Sequence, residues 1–260
     1  MGKRENTIRM SDNPFSVIAD YYDLDLGDFQ EDVSLYDNLA RRTELPVLEL
    51  GAGTGRVAIP LAKSGHTVVG IDSSEAMLAV ARHKAGRRRN NPQFALAEMT
   101  EFSFDVRFGL IFCALGGLLH LDSQEKQVQT LERARDHLAA GGLLAIDLPN
   151  PGTVEWEPGC QELVLEWTRE RQDGTMVSKF VSREADRARQ VQRITHIYEE
   201  WHDAGSRRRQ ATFESRYVHR FEMELLLKQT GLKIEGVYGS YDLEPYDSDS
   251  PRMIFVVGRA

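Results

Sequence analysis

The chain has 260 residues, 41% of them hydrophobic and 28% charged, with a formal net charge of −8. That length and apolar fraction suffice to bury one substantial core, and the acidic balance works against a dedicated nucleic-acid or anionic-membrane partner, since phosphates are repelled. Only two cysteines occur, Cys113 and Cys160, which excludes a disulfide framework, and no apolar run reaches the length that spans a bilayer.

The N-terminal MGKRENTIRMSDNPF lacks the apolar stretch of a secretory leader, so a cytoplasmic location is expected. Residues 14–44 read as helical cover, with Phe15, Ile18, Tyr21 and Tyr22 on the apolar face and Pro46 as the stop. Strands are then expected near 47–50, 67–71, 93–96, 108–113 and 143–148, alternating with helices near 54–64, 74–85 and 123–139. Ser73 or Ser74 caps the second of these helices, and Gly141-Gly142 ends the third. Cys113 falls inside an apolar run and reads as a small core residue.

Around Pro149-Asn150-Pro151-Gly152 the texture changes. From Glu162 to Arg220 polar and apolar residues alternate, with an Asp173-Gly174 hairpin turn and a second turn around Asp203-Ala204-Gly205. Three or four antiparallel strands are expected there. Arg87-Arg88-Arg89 and Arg207-Arg208-Arg209 sit beside turn-forming residues and read as solvated loop charge. A helix over 221–230 with Gly231 as its C-cap, and strands over 233–238 and 253–258, complete the chain. Three parts follow: an N-terminal helical cover (1–46), an α/β core (47–152 with 221–260) and an antiparallel β insertion (153–220) that would act as a substrate lid.

The most informative stretch is VLELGAGTGRVAIPLAKSGHTVVGID, residues 47–72. A strand runs into the turn Gly51-Ala52-Gly53-Thr54-Gly55, then a helix, then a strand ending in Asp72, 21 residues after Gly51. This is the first half of a doubly wound nucleotide-binding sheet, and Asp72 stands where a carboxylate takes ribose hydroxyls. Arg56 occupies the position of a dinucleotide fingerprint's third glycine, and no Gly-Lys-Ser/Thr follows, which excludes a phosphate-binding P-loop. Glu49 precedes the turn. A carboxylate there suits a ligand with an ammonium or sulfonium group, and S-adenosylmethionine has both as well as a ribose.

ELGAGTGR followed by VVGIDSSEAML resembles the first two cofactor motifs of class I S-adenosylmethionine-dependent methyltransferases. The resemblance continues through AEMTEF (97–102), FGLIFCALGGLLHL (108–121), HLAAGGLLAIDLPNP (137–151) and FEMELLLKQTGLKIEGVYG (221–239). It implies a Rossmann-like seven-stranded sheet, with the antiparallel insertion after the fifth strand. It further implies a cofactor site at Glu49, Gly51, Ala52, Gly53, Gly55, Asp72 and Ser73, with Met77, Glu98 and Met99 around the adenine. Leu115 would lie beside the sulfonium, and Tyr22 on a helix folded over the methionine end.

On this reading S-adenosylmethionine gives its methyl group to a small-molecule acceptor at nitrogen or oxygen, leaving S-adenosylhomocysteine. Methyl transfer is an in-line displacement, so positioning does most of the work. Where the acceptor must lose a proton, His120, Tyr241 and Asp242 are the base candidates, followed by His196, His202 and His219 of the insertion, which read first as sheet-surface residues. No metal-ligand spacing occurs, and no Asn/Asp-Pro-Pro-Tyr, the motif of aromatic-edge amine methylation. Nucleic acid and membrane are not expected partners; the chain acts alone or as a homodimer. The alternative is a regulatory protein that binds the cofactor without turnover.

Overall fold

The computed structural model describes residues 13–87, 90–153, 162–202 and 205–260. Cys160, the turn residues Asp203 and Ala204, and Arg88 and Arg89 lie outside the described residues.

Two helices come first. Pro14–Leu26 (α1) is capped by Asn13, whose Oδ1 accepts from the Phe15 N–H, with Pro14 in the first helical turn, where its missing N–H costs nothing. Glu31–Ala40 (α2) follows after a break at residues 27–30. The core then alternates: β1 (Val47–Leu50), α3 (Ala58–Lys63), β2 (Val68–Asp72), α4 (Glu75–Ala85), β3 (Gln93–Leu96), β4 (Phe108–Cys113), α5 (Gln124–His137) and β5 (Leu138–Pro149). After the insertion come α6 (Arg220–Gln229), β10 (Leu232–Tyr238) and β11 (Arg252–Arg259). These strands form a seven-stranded sheet in the order β10-β11-β5-β4-β1-β2-β3. Strands β1 to β5 pair in parallel, and β11 runs antiparallel between β5 and β10.

The apolar runs of the central strands are read out two residues at a time. Leu48, Leu50, Ile111, Leu144, Ile146 and Phe255 face α5 and α6, in a core with Leu131, Met223 and Leu227. Val47, Leu110, Phe112, Ala145 and Val256 face the other way, against Leu35, Tyr36 and Leu39 of α2 and Leu61 of α3. Near-continuous hydrophobicity is what burial on both faces demands.

Three boundaries differ from expectation. Helix α3 begins only at Ala58, because Gly55 holds a φ of +74° and cannot enter an α-helix. Helix α5 ends at His137, and β5 runs straight through Gly141-Gly142, where its pairing with β4 slips register between Phe108 and Leu110. A Cβ at Gly142 would lie 2.8 Å from the Phe108 carbonyl oxygen, so these glycines serve a bulge and not a helix stop. Arg207-Arg208-Arg209 lies on a strand, in register with Glu200, Glu199 and Tyr198. Arg207 and Arg208 form cross-strand ion pairs with Glu200 and Glu199.

The insertion is a separate antiparallel sheet, β6 (Val164–Glu170), β7 (Met176–Asp186), β8 (Val191–His202) and β9 (Gly205–Arg216), in that order. Its first hairpin turns at Asp173-Gly174, with Gly174 at φ +83° and the Asp173 carboxylate accepting from the Thr175 N–H. One face packs on α1: Val177, Tyr198, Ala211 and Phe213 meet Ile18, Ala19 and Tyr21, and Met77 of α4 joins them.

Tyr36 is fully buried and stacks on Phe112 with ring centroids 4.1 Å apart, yet its hydroxyl has no partner among the described residues. A stranded buried hydroxyl costs free energy that a phenylalanine would not, so Tyr36→Phe is expected to raise unfolding stability by roughly 1 kcal/mol in urea titrations. A loss of stability would show that the hydroxyl has a partner.

Candidate active site

The carboxyl ends of β1, β2, β3 and β4 open onto a cavity of about 460 Å³, the place where doubly wound sheets bind ligands and a volume suited to a cofactor-sized molecule. Gly51 and Gly53 form its floor at φ +72° and +53°, and a Cβ on Gly51 would lie 2.8 Å from the Met99 side chain. Ala52 and Gly55 do not line the cavity; they pack the turn from behind. Ala52 presses on Gly70, and a Cβ on Gly55 would meet Phe94 at 2.9 Å.

Asp72, at the end of β2, sets the loop. Its Oδ2 accepts from the Gly53 N–H at 2.8 Å and its Oδ1 from the Ser74 N–H at 2.8 Å, while the carboxylate still borders the cavity. Burial raises its pKa, and the backbone donors oppose that. Ser74 supplies the cap of α4. Ser73 lines the cavity and accepts from the Asn13 side chain at 3.0 Å. Met77, Glu98, Met99 and Leu115 line it as well.

Glu49 departs from its expected position. Strand alternation points it to the α3 side of the sheet, where Oε2 accepts from the Ala58 N–H at 2.9 Å and closes the glycine turn. It is 3% exposed and does not line the cavity; burial pushes its carboxyl up to about 8, with Arg56 opposing. Arg56 makes a bidentate pair with Asp32 of α2, at 2.7 and 2.5 Å, and donates to the Phe29 carbonyl at 2.9 Å. The residue that fails the dinucleotide pattern therefore clamps α2 to the turn.

Tyr22 lines the cavity beside Gly53, and burial pushes its phenol up to about 12, so it stays a hydroxyl donor at neutral pH. Its neighbour Tyr21 faces away and stacks on Tyr198 at 4.4 Å. Asp23 fastens the same helix to the glycine turn by accepting from Thr54 Oγ1 at 2.7 Å and pairing with Lys84.

Tyr241 is not at the cavity. Its hydroxyl donates to Asp147 Oδ2 at 3.0 Å, and its ring lies against Phe29 and under Arg252. Burial and Asp147 raise its pKa, which leaves it no basic function. Asp147 also accepts from the Leu115 N–H through Oδ2 and from Arg252 through Oδ1, and its own carbonyl accepts from the Gly116 N–H. That grip holds Leu115 and Gly116 at φ +49° and +74°, a reason for glycine at position 116. Asp242 does not line the cavity either.

His120 does. Its ring meets Phe15 edge-on at 4.8 Å, and it borders the cavity as an exposed residue. Desolvation pushes its pKa down to about 4. The lining is completed by residues that sequence reasoning placed elsewhere or passed over: His196 and Ile194 of β8, Phe213 and Glu214 of β9, and Phe15 and Asp25 of α1. The signal was available in the alternation of β8, which puts Ile194, His196 and Tyr198 on one face; which face turned inward was not. His202 and His219 do not reach the cavity. Its charged lining comprises Asp25, Asp72, Glu98, Asp122 and Glu214; no lysine or arginine lines it among the described residues.

A nucleotide-type glycine turn, a carboxylate ending the next strand at the cavity and a sheet whose last strand is reversed are the marks of a class I methyltransferase fold. Comparison with known proteins agrees. A family model described as a methyltransferase domain matches residues 47–142. The chain is 28% identical over 214 residues to the cypemycin N-terminal methyltransferase of a Streptomyces species, covering 82% of both. It is 33% identical over 103 residues to the dTDP-3-amino-3,6-dideoxy-alpha-D-glucopyranose N,N-dimethyltransferase of Streptomyces fradiae, covering 39% of this chain and 38% of that one. The solved structure of the CcbJ methyltransferase from Streptomyces caelestis superposes with a TM-score of 0.78 at 26% identity, over 96% of this chain and all of that one. The chain has a class I methyltransferase fold and is an S-adenosylmethionine-dependent methyltransferase, with S-adenosylmethionine as its cofactor. Nothing in these relatives supports a regulatory protein without turnover.

Asp72 has lone pairs left over after its two backbone contacts. Asp72→Ala is expected to weaken S-adenosylhomocysteine binding by roughly 1.5–3 kcal/mol, the range for hydrogen bonds to a charged group, as read by titration calorimetry. Unchanged affinity in a folded variant would remove the ribose role. His120 and His196, both held near 4, bind protons more readily in the unfolded chain. Their contribution therefore makes stability fall as pH drops from the ordinary histidine value of about 6.5 toward 4, measurable by thermal melts across that window.

Proposed function

We propose that the protein methylates the nitrogen of a small-molecule amine. The observation that carries this reading is the sign of the cavity's charge: five carboxylates and no cationic side chain among the described lining residues. A carboxylate, phosphate or phenolate acceptor would enter against that charge, whereas an ammonium is drawn in. Of the two relatives described above, one is named as an N-terminal methyltransferase and the other as an N,N-dimethyltransferase of an amino sugar.

Bound S-adenosylmethionine supplies a methyl group activated by its sulfonium. In this reading Asp72 holds the ribose hydroxyls, Met77 and Met99 cover the adenine with Glu98 at its edge, and Tyr22 and the Gly51–Gly53 backbone enclose the methionine end. The amine must arrive as, or become, the free base, because its lone pair forms the new C–N bond as the C–S bond breaks and the electron pair returns to sulfur. His120 is neutral above about pH 5. Too weak a base to deprotonate an ordinary ammonium by itself, it accepts a hydrogen bond from the free amine and fixes the line of attack. Phe15, Phe213 and the antiparallel insertion exclude water from that side, so the insertion serves as wall and lid. Cytoplasmic action without nucleic acid belongs to the same reading, supported by the net charge of −8; among the described residues no helix is long and apolar enough to cross a membrane.

The experiment is a screen of primary amines, phenols and carboxylic acids for S-adenosylhomocysteine release. Turnover confined to phenols or acids would refute the amine reading. With an accepted amine, kcat/KM is expected to rise with pH toward the amine's own pKa, and His120→Gln to lower kcat by up to about 10²-fold through misorientation, with cofactor affinity unchanged. The rising limb should persist in the variant. Its disappearance would make His120 the titrating base.

A further inference from the structure

His196 has one ring nitrogen without a hydrogen-bond partner among the described residues. It lies on β8 opposite Ala211, with its ring 5.2 Å from that of Phe213 and 6.2 Å from that of Tyr198, and it borders the cavity. Among the described residues Nδ1 is buried without a hydrogen-bond partner. Nε2 makes no hydrogen bond to a described residue either, but it is not among the buried unpartnered atoms, so it keeps its surface toward the cavity.

A neutral imidazole carries one N–H and one lone pair, and the burial pattern decides which nitrogen has which. A proton on Nδ1 would strand a buried donor. A proton on Nε2 strands only a lone pair there, the less costly of the two, and turns the N–H toward the cavity. Burial keeps the ring neutral; the nearby charges of Lys179 and Arg183 add to that effect, and those of Asp25 and Glu166 oppose it. Around His196 the lining is apolar (Ile194, Phe15, Phe213) or acidic (Glu214, Asp25). Asp25 already accepts from the Trp167 indole and from Lys179. A donor set among such neighbours matches an acceptor atom on the substrate.

We propose that His196 presents Nε2–H to the acceptor cavity and selects amines that carry a hydroxyl or carbonyl oxygen positioned to accept it. This rests on the amine reading above. The methylated nitrogen lies on the His120 side and the oxygen on the β8 side, so one end of the substrate meets the core and the other the insertion. His196 is then a specificity residue, not part of the methyl-transfer step.

The test has two arms, chosen so that the two readings fail separately. The first labels the protein with ¹⁵N-histidine and records long-range ¹H–¹⁵N spectra of the S-adenosylhomocysteine complex at pH 7. The Nε2–H tautomer is expected for His196; an Nδ1–H tautomer or an imidazolium overturns the proposal whatever the acceptor is. The second compares cyclohexylamine with its 2-, 3- and 4-hydroxy derivatives as methyl acceptors. At least one amino alcohol should exceed cyclohexylamine in kcat/KM by about tenfold, the worth of one well-made hydrogen bond. In His196→Phe that preference should fall to within about twofold, with S-adenosylhomocysteine affinity, read by titration calorimetry, as the control for folding. Equal use of all four amines, or a preference that survives in His196→Phe, overturns the proposal. Turnover of none of them overturns the amine reading and this substrate class with it, and the tautomer still reports on the ring itself.

Discussion

A backbone turn that must run through left-handed conformations at three glycines is the constraint on which the rest of the molecule is arranged. Gly51, Gly53 and Gly55 all have positive φ, and such a turn does not hold itself in place. Two carboxylates close it from opposite sides of β1. Glu49 takes the Ala58 N–H where α3 begins, and Asp72 takes the Gly53 N–H from the next strand. Each spends a buried or partly buried acceptor on the backbone, a contact stronger than a neutral hydrogen bond when the acceptor is ionised. Arg56 and Thr54 then bind α2 and α1 to the same few residues. The turn is at once the floor of the cavity and the anchor of the helices above it.

Helix α1 carries this order to the insertion. Its inner edge offers Tyr22 and Phe15 to the cavity, and its outer edge offers Tyr21 to Tyr198 and to Glu200. Beyond its middle, Asp25 receives the Trp167 indole, Lys179 and the Tyr198 hydroxyl, and Arg171 reaches both Glu200 and the Asp20 carbonyl. Lys179 is nearly buried, and it is matched by Asp25 and Glu166 together, as a buried charge requires. Core and insertion therefore meet along this helix and, from β9, through Phe213 on His120 and Arg216 on Gln127 and Glu222. The cavity takes some of its walls from the edge of the core sheet and others from β8 and β9.

A second positioning device lies behind the loop after β4. Asp147 collects the Leu115 N–H, the Tyr241 hydroxyl and the Arg252 guanidinium, three donors from three segments. A fully buried carboxylate with that many donors stays fixed, and so does the loop after β4 that faces the cavity. Tyr241, which its place after β10 suggested as a substrate contact, belongs to this scaffold. Arg252 fills the anchoring role expected of it, through Asp147.

The sequence by itself determined the doubly wound sheet, the glycine turn with Asp72 at the next strand's end, and the presence of an antiparallel insertion after the fifth strand. Those features are local: they rest on apolar runs, on glycines where φ must be positive, and on a turn residue pair such as Asp173-Gly174. It did not determine the ends of α3 and α5, where a left-handed glycine and a strand bulge overrode the helical pattern. Nor did it decide which way alternating strands faced. Period two says that Ile194, His196 and Tyr198 share a face, but only packing against α1 turned that face inward and took His196 from the surface to the acceptor cavity. The same alternation turned Glu49 from the expected ligand ammonium to the N-terminus of α3. Residues far apart in the chain, Asp147 and Tyr241 or Asp25 and Lys179, meet only because the sheet and helix α1 bring their segments together, and that information is not local to any motif.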